Sequence, residues 1–311
     1  MSYLRRNSTF QSFGFKPGVA PGSAYEGQIY YNASDALFYI YADGAWKSLS
    51  GALQPTGGIT AAYSSGGTDY ISHTFLTSGI FTSEIARDVD YLVIAGGGGG
   101  GAAAGGGGGA GGYRTATGFA VTAISYAVTV GAGGVKTSAA GTNGDDSVFS
   151  SITSAGGGGG GLAANAGVAG GSGGGGGDNI SGNSLLGGAG NTPSTSPSQG
   201  NAGGKGFFQP GVGPAGGGGG SGAVGGDGTT SNGGDGGAGT ANAYRTGSNI
   251  TYAGGGASWS NGSQGSPVGG SGGGGDPDEA GVANSGSGGG ANGGNGGGAG
   301  GSGIVIIRYT A

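Results

Sequence analysis

Val89-Asp-Tyr-Leu-Val-Ile-Ala-Gly-Gly-Gly-Gly-Gly-Gly101 runs from a strand-like pattern straight into unbroken glycine, and Ser302-Gly-Ile-Val-Ile-Ile-Arg-Tyr309 leads out of the last glycine run. Glycine makes up 93 of the 311 residues, against a usual share of about 7%. The flanking segments are β-branched and aromatic, which suits strands. Gly303–Tyr309 is apolar on both faces, the mark of a central strand. Pairing Tyr91–Ala95 with Gly303–Tyr309 would clamp both ends of the glycine region in one sheet, so the two are expected to be neighbours.

Ordering glycine costs more backbone entropy than ordering any other residue, and something regular must offset that cost. Collagen needs glycine at every third position and abundant proline. The chain has nine prolines, none inside the runs 96–101, 105–112, 156–161 or 170–177. The alternative is a bundle of polyglycine-II left-handed helices, three residues per turn. These lack internal hydrogen bonds, so every N–H and C=O must pair with a neighbouring helix and the contacting faces must be Gly. The period is visible: positions 288, 291, 294, 297, 300 and 303 are Gly except Ala291, and 216 to 237 in steps of three are Gly except Ser231. Irregular glycine-rich loops are the competing reading.

The expected fold is therefore all-β plus a polyglycine-II helical bundle: a short β-sandwich or meander base, stacked glycine-rich left-handed helices and connecting loops. Residues 1–55 form an N-terminal attachment and oligomerisation segment with a meander. Its strands are Gln28–Tyr31, Leu37–Tyr41 and one beginning Ala45-Trp46-Lys47, with a hairpin signal at Ala42-Asp43-Gly44. Three short strands bury too little alone, which favours aromatic faces meeting between subunits; packing on the next domain is the other possibility. Residues 56–95 and 303–311 supply base strands, including Tyr70–Thr77 and Ile80–Ile85. Residues 96–302 are the glycine-rich part, with a β insert at 113–153 where Phe119–Val130 and Ser147–Thr153 read as strands.

The string Val89–Gly101, the following Gly-Gly-Tyr113-Arg114 and the closing Ser302–Tyr309 resemble the glycine-rich domain of bacteriophage tail-fibre and tail-tip adhesin proteins. The meander Gly27-Gln-Ile-Tyr-Tyr-Asn32 with Gly44-Ala-Trp46 is similar to short modules of phage fibre proteins. The resemblance implies a virion location, a β base and loops at one end of the bundle that contact a host-cell surface receptor, protein or polysaccharide. It implies attachment to other virion or tail proteins through the N-terminus, and a homo-oligomer with a trimer favoured. Residues 1–24 match no module of that family. The alternative is a purely structural virion component, such as a head fibre or decoration protein, or an extracellular filament subunit.

Catalytic chemistry finds little footing, and no enzyme activity is expected. With no cysteine there is no disulfide framework or thiolate metal site. The sole histidine, His73, sits in a strand pattern and reads as a structural residue. Many GxGxxG strings occur, but none lies in a βαβ unit, and Gly203-Gly-Lys205-Gly206 lacks the Ser or Thr of a phosphate loop. No cofactor or metal is expected; Asp178, in a single match to a calcium nonapeptide, is a weak metal candidate. Asp145-Asp146 and Asp276-Pro-Asp278-Glu279 read as solvated loop charges. The net charge of −5 falls on the part from residue 145 onward, which argues against nucleic acid. No apolar run approaches membrane-spanning length, and MSYLRRNSTF has no signal-like apolar region. Receptor-binding candidates are the bulky residues between glycine runs: Phe207, Phe208, Tyr244, Arg245, Tyr252 and Trp259. Aromatic and Arg side chains dominate interfaces; the competing role for each is to cap a bundle end.

Overall fold

A computed structural model describes residues 20–32, 37–48, 54–178, 185–207, 214–260, 266–294 and 296–311. The chain divides into two compact units, Met1–Pro55 and Thr56–Ala311. In the first, β1 (Ile29–Asn32), β2 (Leu37–Ala42) and β3 (Ala45–Ser48) form an antiparallel meander. Its second turn places Asp43 and Gly44 at φ 52° and 76°, the left-handed pair of a tight hairpin. Tyr30 stacks on Tyr39 at 5.2 Å and meets the Trp46 edge at 4.6 Å, while Tyr31 and Phe38 pair across the strands at 5.1 Å. None of its described residues is buried.

The second unit is built on two facing sheets. β4 (Ile59–Ser65), β5 (Thr68–Phe75), β7 (Arg87–Ile94), β8 (Tyr113–Val121) and β14 (Ile304–Thr310) form one, in the order β4-β5-β14-β7-β8. β6 (Gly79–Thr82), β9 (Ser125–Thr129), β10 (Ser147–Phe149) and β11 (Ile152–Ser154) form the other, in the order β11-β10-β9-β6. Between them lie Phe75, Val93, Val305 and Ile307 from the first sheet and Phe81, Val128 and Phe149 from the second, all buried. The opposite face of the first sheet buries Leu92, Ile94, Ile304 and Ile306 against Tyr252, Ala253 and Ala110. The double-sided apolar pattern of 304–307 is thereby explained.

The clamp forms as expected: β14 pairs antiparallel with β7, Ile304 opposite Ile94 and Arg308 opposite Asp90. Two strand expectations are corrected. Phe119–Val130 is not one strand, because the chain turns at 122–124 and its halves join different sheets. Ser147–Thr153 is a tight hairpin through Ser150, at φ 53°.

From the sheets, the glycine region runs out and back in short extended passes whose hydrogen bonds follow a three-residue cycle. In pass 96–101, Gly96 and Gly99 donate to Asp145 and Thr142, Gly97 and Gly100 to Gly301 and Gly298, and Gly98 and Gly101 to Gly109 and Gly106, all at 2.8–3.0 Å. Every third residue thus faces the same neighbour. Pass 106–112 lies at the centre, ringed by 96–101, 156–161, 172–177, 214–220, 253–259 and 286–292. Each ring member is also bonded to the next, as in Gly158 N to Ser172 O and Gly288 N to Gly254 O, both 2.9 Å. The remaining passes form an outer shell.

The three-step glycine stripes do not each follow one pass. The 216–237 stripe crosses three passes, with reversals at 221–223 and 229–232, and the 288–303 stripe is shared by two passes, 286–292 and 297–303. What the period records is passes of the same packing requirement joined by turns.

Side chains finish the perimeter. Val135, Val168, Leu186, Val224, Val268 and Val282 are exposed and all lie on outer passes. Where an N–H meets no backbone carbonyl, a side-chain oxygen from an adjacent pass takes it: Asp146 accepts from Gly156 at 2.8 Å, Asn143 from Gly159 at 2.9 Å, Asp227 from Lys205 at 2.7 Å, Asp235 from Val268 at 2.9 Å and Asp276 from Gly269 at 2.7 Å. Asp146 and Asp276 are therefore not merely solvated charges.

A Cβ on Gly108 would stand 2.1 Å from the Gly98 carbonyl oxygen, whereas one on Gly294 meets nothing closer than 3.3 Å. Gly108→Ala is expected to cost more than about 3 kcal/mol and Gly294→Ala to stay within about 1 kcal/mol, as read by denaturant unfolding. Replacing Asp227, Asp235 or Asp276 by Ala should each cost about 0.5–1 kcal/mol, since water takes over a perimeter N–H, and Asp146→Ala about 1–3 kcal/mol, since it strands the buried Gly156 N–H. The losses should add because the sites are separate; a combined variant with unchanged stability would deny them this role.

Candidate functional site

The bundle has two ends, and the bulky residues between glycine runs are divided between them. At the sheet end, β12 (Thr240–Asn242) and β13 (Ile250–Tyr252) form a hairpin laid against the first sheet. The Tyr63 hydroxyl donates to the Tyr244 carbonyl at 2.8 Å and the Ser72 hydroxyl to the Arg245 carbonyl at 2.9 Å. The Arg308 guanidinium lies between two rings, 4.2 Å from the centre of Tyr70 and 3.9 Å from that of Tyr244. It donates to Asp90 at 2.9 Å and to the Tyr63 hydroxyl at 3.2 Å. Burial opposes its charge, but Tyr63 and Asp90 outweigh burial and its pKa lies above the ordinary value. Burial raises the Tyr63 hydroxyl and pushes Tyr113 up to about 12.

Tyr244 and Tyr252 therefore act in packing. Tyr252 is 2% exposed and belongs to the core under the hairpin, a correction to its reading as a displayed contact residue. Arg245 is half-buried beside it. Phe207 and Trp259 lie at the opposite, far end. Phe207 N donates to Pro214 O at 2.8 Å and Trp259 N to Gly105 O at 3.2 Å. A Cβ on Gly293 would fall 2.0 Å from the Trp259 ring nitrogen, so glycine there lets the half-buried indole lie down on the backbone. Phe208 lies outside the described residues. Asp178 is also at the far end; its N–H donates to Ala104 O and its carbonyl accepts from Ala164 N, at 3.0 and 2.7 Å.

The far end also holds Ala103, Ala104 and Ala164 with φ of 47°, 61° and 64°, a conformation that disfavours L side chains larger than Gly. Hydrogen bonds from Ala103 N to Gly294 O and from Ala104 N to Asn292 O, both 3.1 Å, hold the first turn. At the sheet end, loop 191–199 is fixed by Asn191, whose Oδ1 accepts from Thr195 N at 3.0 Å and Gln199 N at 3.2 Å. Buried Gln199 donates to Pro193 O at 2.8 Å and accepts from Ala155 N at 2.9 Å.

Two clefts open at the sheet end. One, of about 420 Å³, lies between β8 and this loop, lined by Tyr113, Arg114, Thr115 and Ser196–Ser198. The other, of about 430 Å³, lies beside the β12–β13 hairpin and includes Leu76, Arg245, Tyr252 and Asn284.

Phosphate-loop chemistry is blocked in the glycine strings themselves. In Gly203–Gly206, the N–H groups of 203, 204 and 206 already bond to Gly188, Gly217 and Leu185, and that of Lys205 to Asp227. Among the described residues, no group of three or more His, Asp or Glu could hold a metal ion. No described helix is long and apolar enough to cross a membrane.

The glycine-rich domain family matches residues 75–310. The chain belongs to that family. Comparison with curated proteins gives no match. The family match spans the clamp strands β7 and β14 and the whole of the pass bundle, and begins at the end of β5. Tyr63 and Arg308, which seat the hairpin, were not singled out in the sequence; their signal is only an aromatic in a strand pattern and a charge in an otherwise apolar one.

His73, on β5 just ahead of the matched residues, is fully buried. Its Nδ1–H donates to the Gly57 carbonyl at 2.6 Å, leaving Nε2 as an acceptor 3.4 Å from the Tyr309 hydroxyl. Burial, with a smaller push from Arg87, lowers its pKa below the ordinary value of 6.5. The folded state thus binds the proton less well than the unfolded one. Stability from this site is complete above about pH 6.5 and falls as pH drops below it, levelling off once the folded group is also protonated. Melting temperature should fall between pH 7 and pH 5, and His73→Asn should flatten that fall. An equal slope in the variant would assign it to other groups.

Proposed function

We propose that this chain is a bacteriophage virion fibre or adhesin whose glycine passes are polyglycine-II helices presenting far-end connections to a host-cell surface receptor. The carrying observation is the opposition of the two ends: both termini of the glycine region are paired in one sheet, while Phe207 and Trp259 lie at the end away from it. The three-residue donor cycle supports the polyglycine-II reading, since such a helix has three residues per turn and satisfies its backbone sideways. A scaffold without side chains leaves recognition to its connections.

The N-terminal unit serves attachment to other virion proteins. Its aromatic meander, with no buried residue among those described, supports assembly through those faces into a homo-oligomer, a trimer in this reading. The protein acts outside the host cell and non-enzymatically, on a protein or polysaccharide receptor. The acidic glycine region disfavours nucleic acid as a partner.

Purified protein should bind candidate bacterial host cells saturably, and Phe207→Ala with Trp259→Ala should weaken that binding at least tenfold. Tyr244→Phe, at the sheet end, should leave it unchanged. Protease treatment of the cells then separates a protein receptor from a polysaccharide. Absence of saturable binding by the assembled protein, or indifference to the far-end changes, would overturn the adhesin reading in favour of a purely structural virion component.

A further inference from the structure

Arg245 is one of few cations in the acidic part of the chain, and its situation differs from that of the others. Arg308 is paired with Asp90. Among the described residues, the Arg245 guanidinium makes no ion pair. The side chain facing it is Tyr252, whose neutral, buried hydroxyl is the group the guanidinium meets. The guanidinium therefore has a neutral wall behind it and no counter-charge, at the edge of the cleft of about 430 Å³ beside the β12–β13 hairpin.

The cleft is held open and its cation held in place. Gly272 and Gly273 turn at φ 98° and 97°, and a Cβ on Gly273 would meet Val282 Cβ at 2.8 Å, so any larger residue would close the cleft. The Arg245 backbone is fixed by the Ser72 hydroxyl at 2.9 Å, and the neighbouring carbonyl by Tyr63 at 2.8 Å. The lining includes the apolar side chains Leu76, Ile250 and Val282 and the hydrogen-bonding side chains Thr251 and Asn284. Asn284 is set by its own bonds to Ser302. The volume falls in the usual range for small-ligand sites.

We infer that this cleft binds an acidic saccharide, its carboxylate on Arg245, its hydroxyls on Thr251 and Asn284, and its apolar ring face on Leu76, Ile250 and Val282. A planar guanidinium takes a carboxylate through paired N–H donors. A pyranose carries both an apolar C–H face and a hydroxyl edge, which matches a lining of both apolar and hydrogen-bonding side chains. A neutral sugar would leave the guanidinium unpaired, and a simple carboxylate would leave the apolar wall uncovered. The cleft lies at the sheet end, so it binds the sugar whether or not the far end engages a host cell.

The test is titration of the full-length protein with digalacturonic acid by calorimetry or saturation-transfer NMR, with lactose and acetate as controls. Saturable binding on the order of millimolar is expected for the acidic disaccharide, at least tenfold tighter than for either control. Arg245→Gln should raise the dissociation constant at least tenfold and Arg245→Lys less. Val282→Trp, an exposed change that fills the cleft, should abolish binding while the melting temperature stays near that of the parent. Unaltered binding in Arg245→Gln or in folded Val282→Trp, equal binding of lactose or acetate, or no binding at all would overturn the assignment.

Discussion

A glycine pass in this protein has no backbone hydrogen bond of its own. Each N–H and C=O must find a partner on a neighbouring pass, and the neighbour must come close enough for its carbonyl to occupy the space a Cβ would fill. At Gly98, Gly108 and Gly256 that space lies about 2 Å from a carbonyl oxygen. The constraint dictates composition, since only glycine admits the approach, and architecture, since a pass with polar groups pointing in every direction is satisfied only when surrounded. The ring of passes around 106–112 is the smallest arrangement that surrounds one completely.

Magnitudes show why the bundle needs its sheets. Ordering a residue's backbone costs about 1–2 kcal/mol, more for glycine, while a hydrogen bond returns about 0.5–1.5 kcal/mol net. Hydrogen bonding alone therefore leaves the passes near or below balance. Close backbone contact adds dispersion and weak C–H···O attraction, but the secure gain lies in the aromatic and aliphatic core between the two sheets. Pairing β7 with β14 closes the region from both ends, so the unfavourable part is tied to the favourable part in one unit.

Much of this was legible. The apolar segments at 91–95 and 304–307 announced strands, and their position at the two mouths of the glycine region announced the pairing. The three-step periodicity announced a three-residue packing cycle. What periodicity could not reveal was where the chain turns, because a reversal such as 221–223 keeps the same phase on both sides. Nor could it separate a displayed aromatic from a buried one. Tyr252 and Trp259 flank the same short glycine run, 254–256, yet Tyr252 is sealed in the core by the hairpin and Trp259 lies at the far end. The difference rests on pass direction, which is a property of the whole lattice.

The lattice also explains the charge. A bundle of glycine has no side chains with which to end itself, and an outer pass presents N–H groups that another glycine segment, from this chain or from a second copy, would satisfy as well as water does. Asp227, Asp235 and Asp276 occupy those directions with carboxylates, and Val135, Leu186, Val224 and Val268 add bulk on outer passes. Both devices block further accretion, as charged and bulky residues do on the edges of natural sheets. Acidic residues are chosen over basic ones because only an acceptor can take an N–H. The negative charge of the glycine region is thus a consequence of finishing the scaffold, and it makes a cation without a carboxylate partner among the described residues, such as Arg245, a local exception.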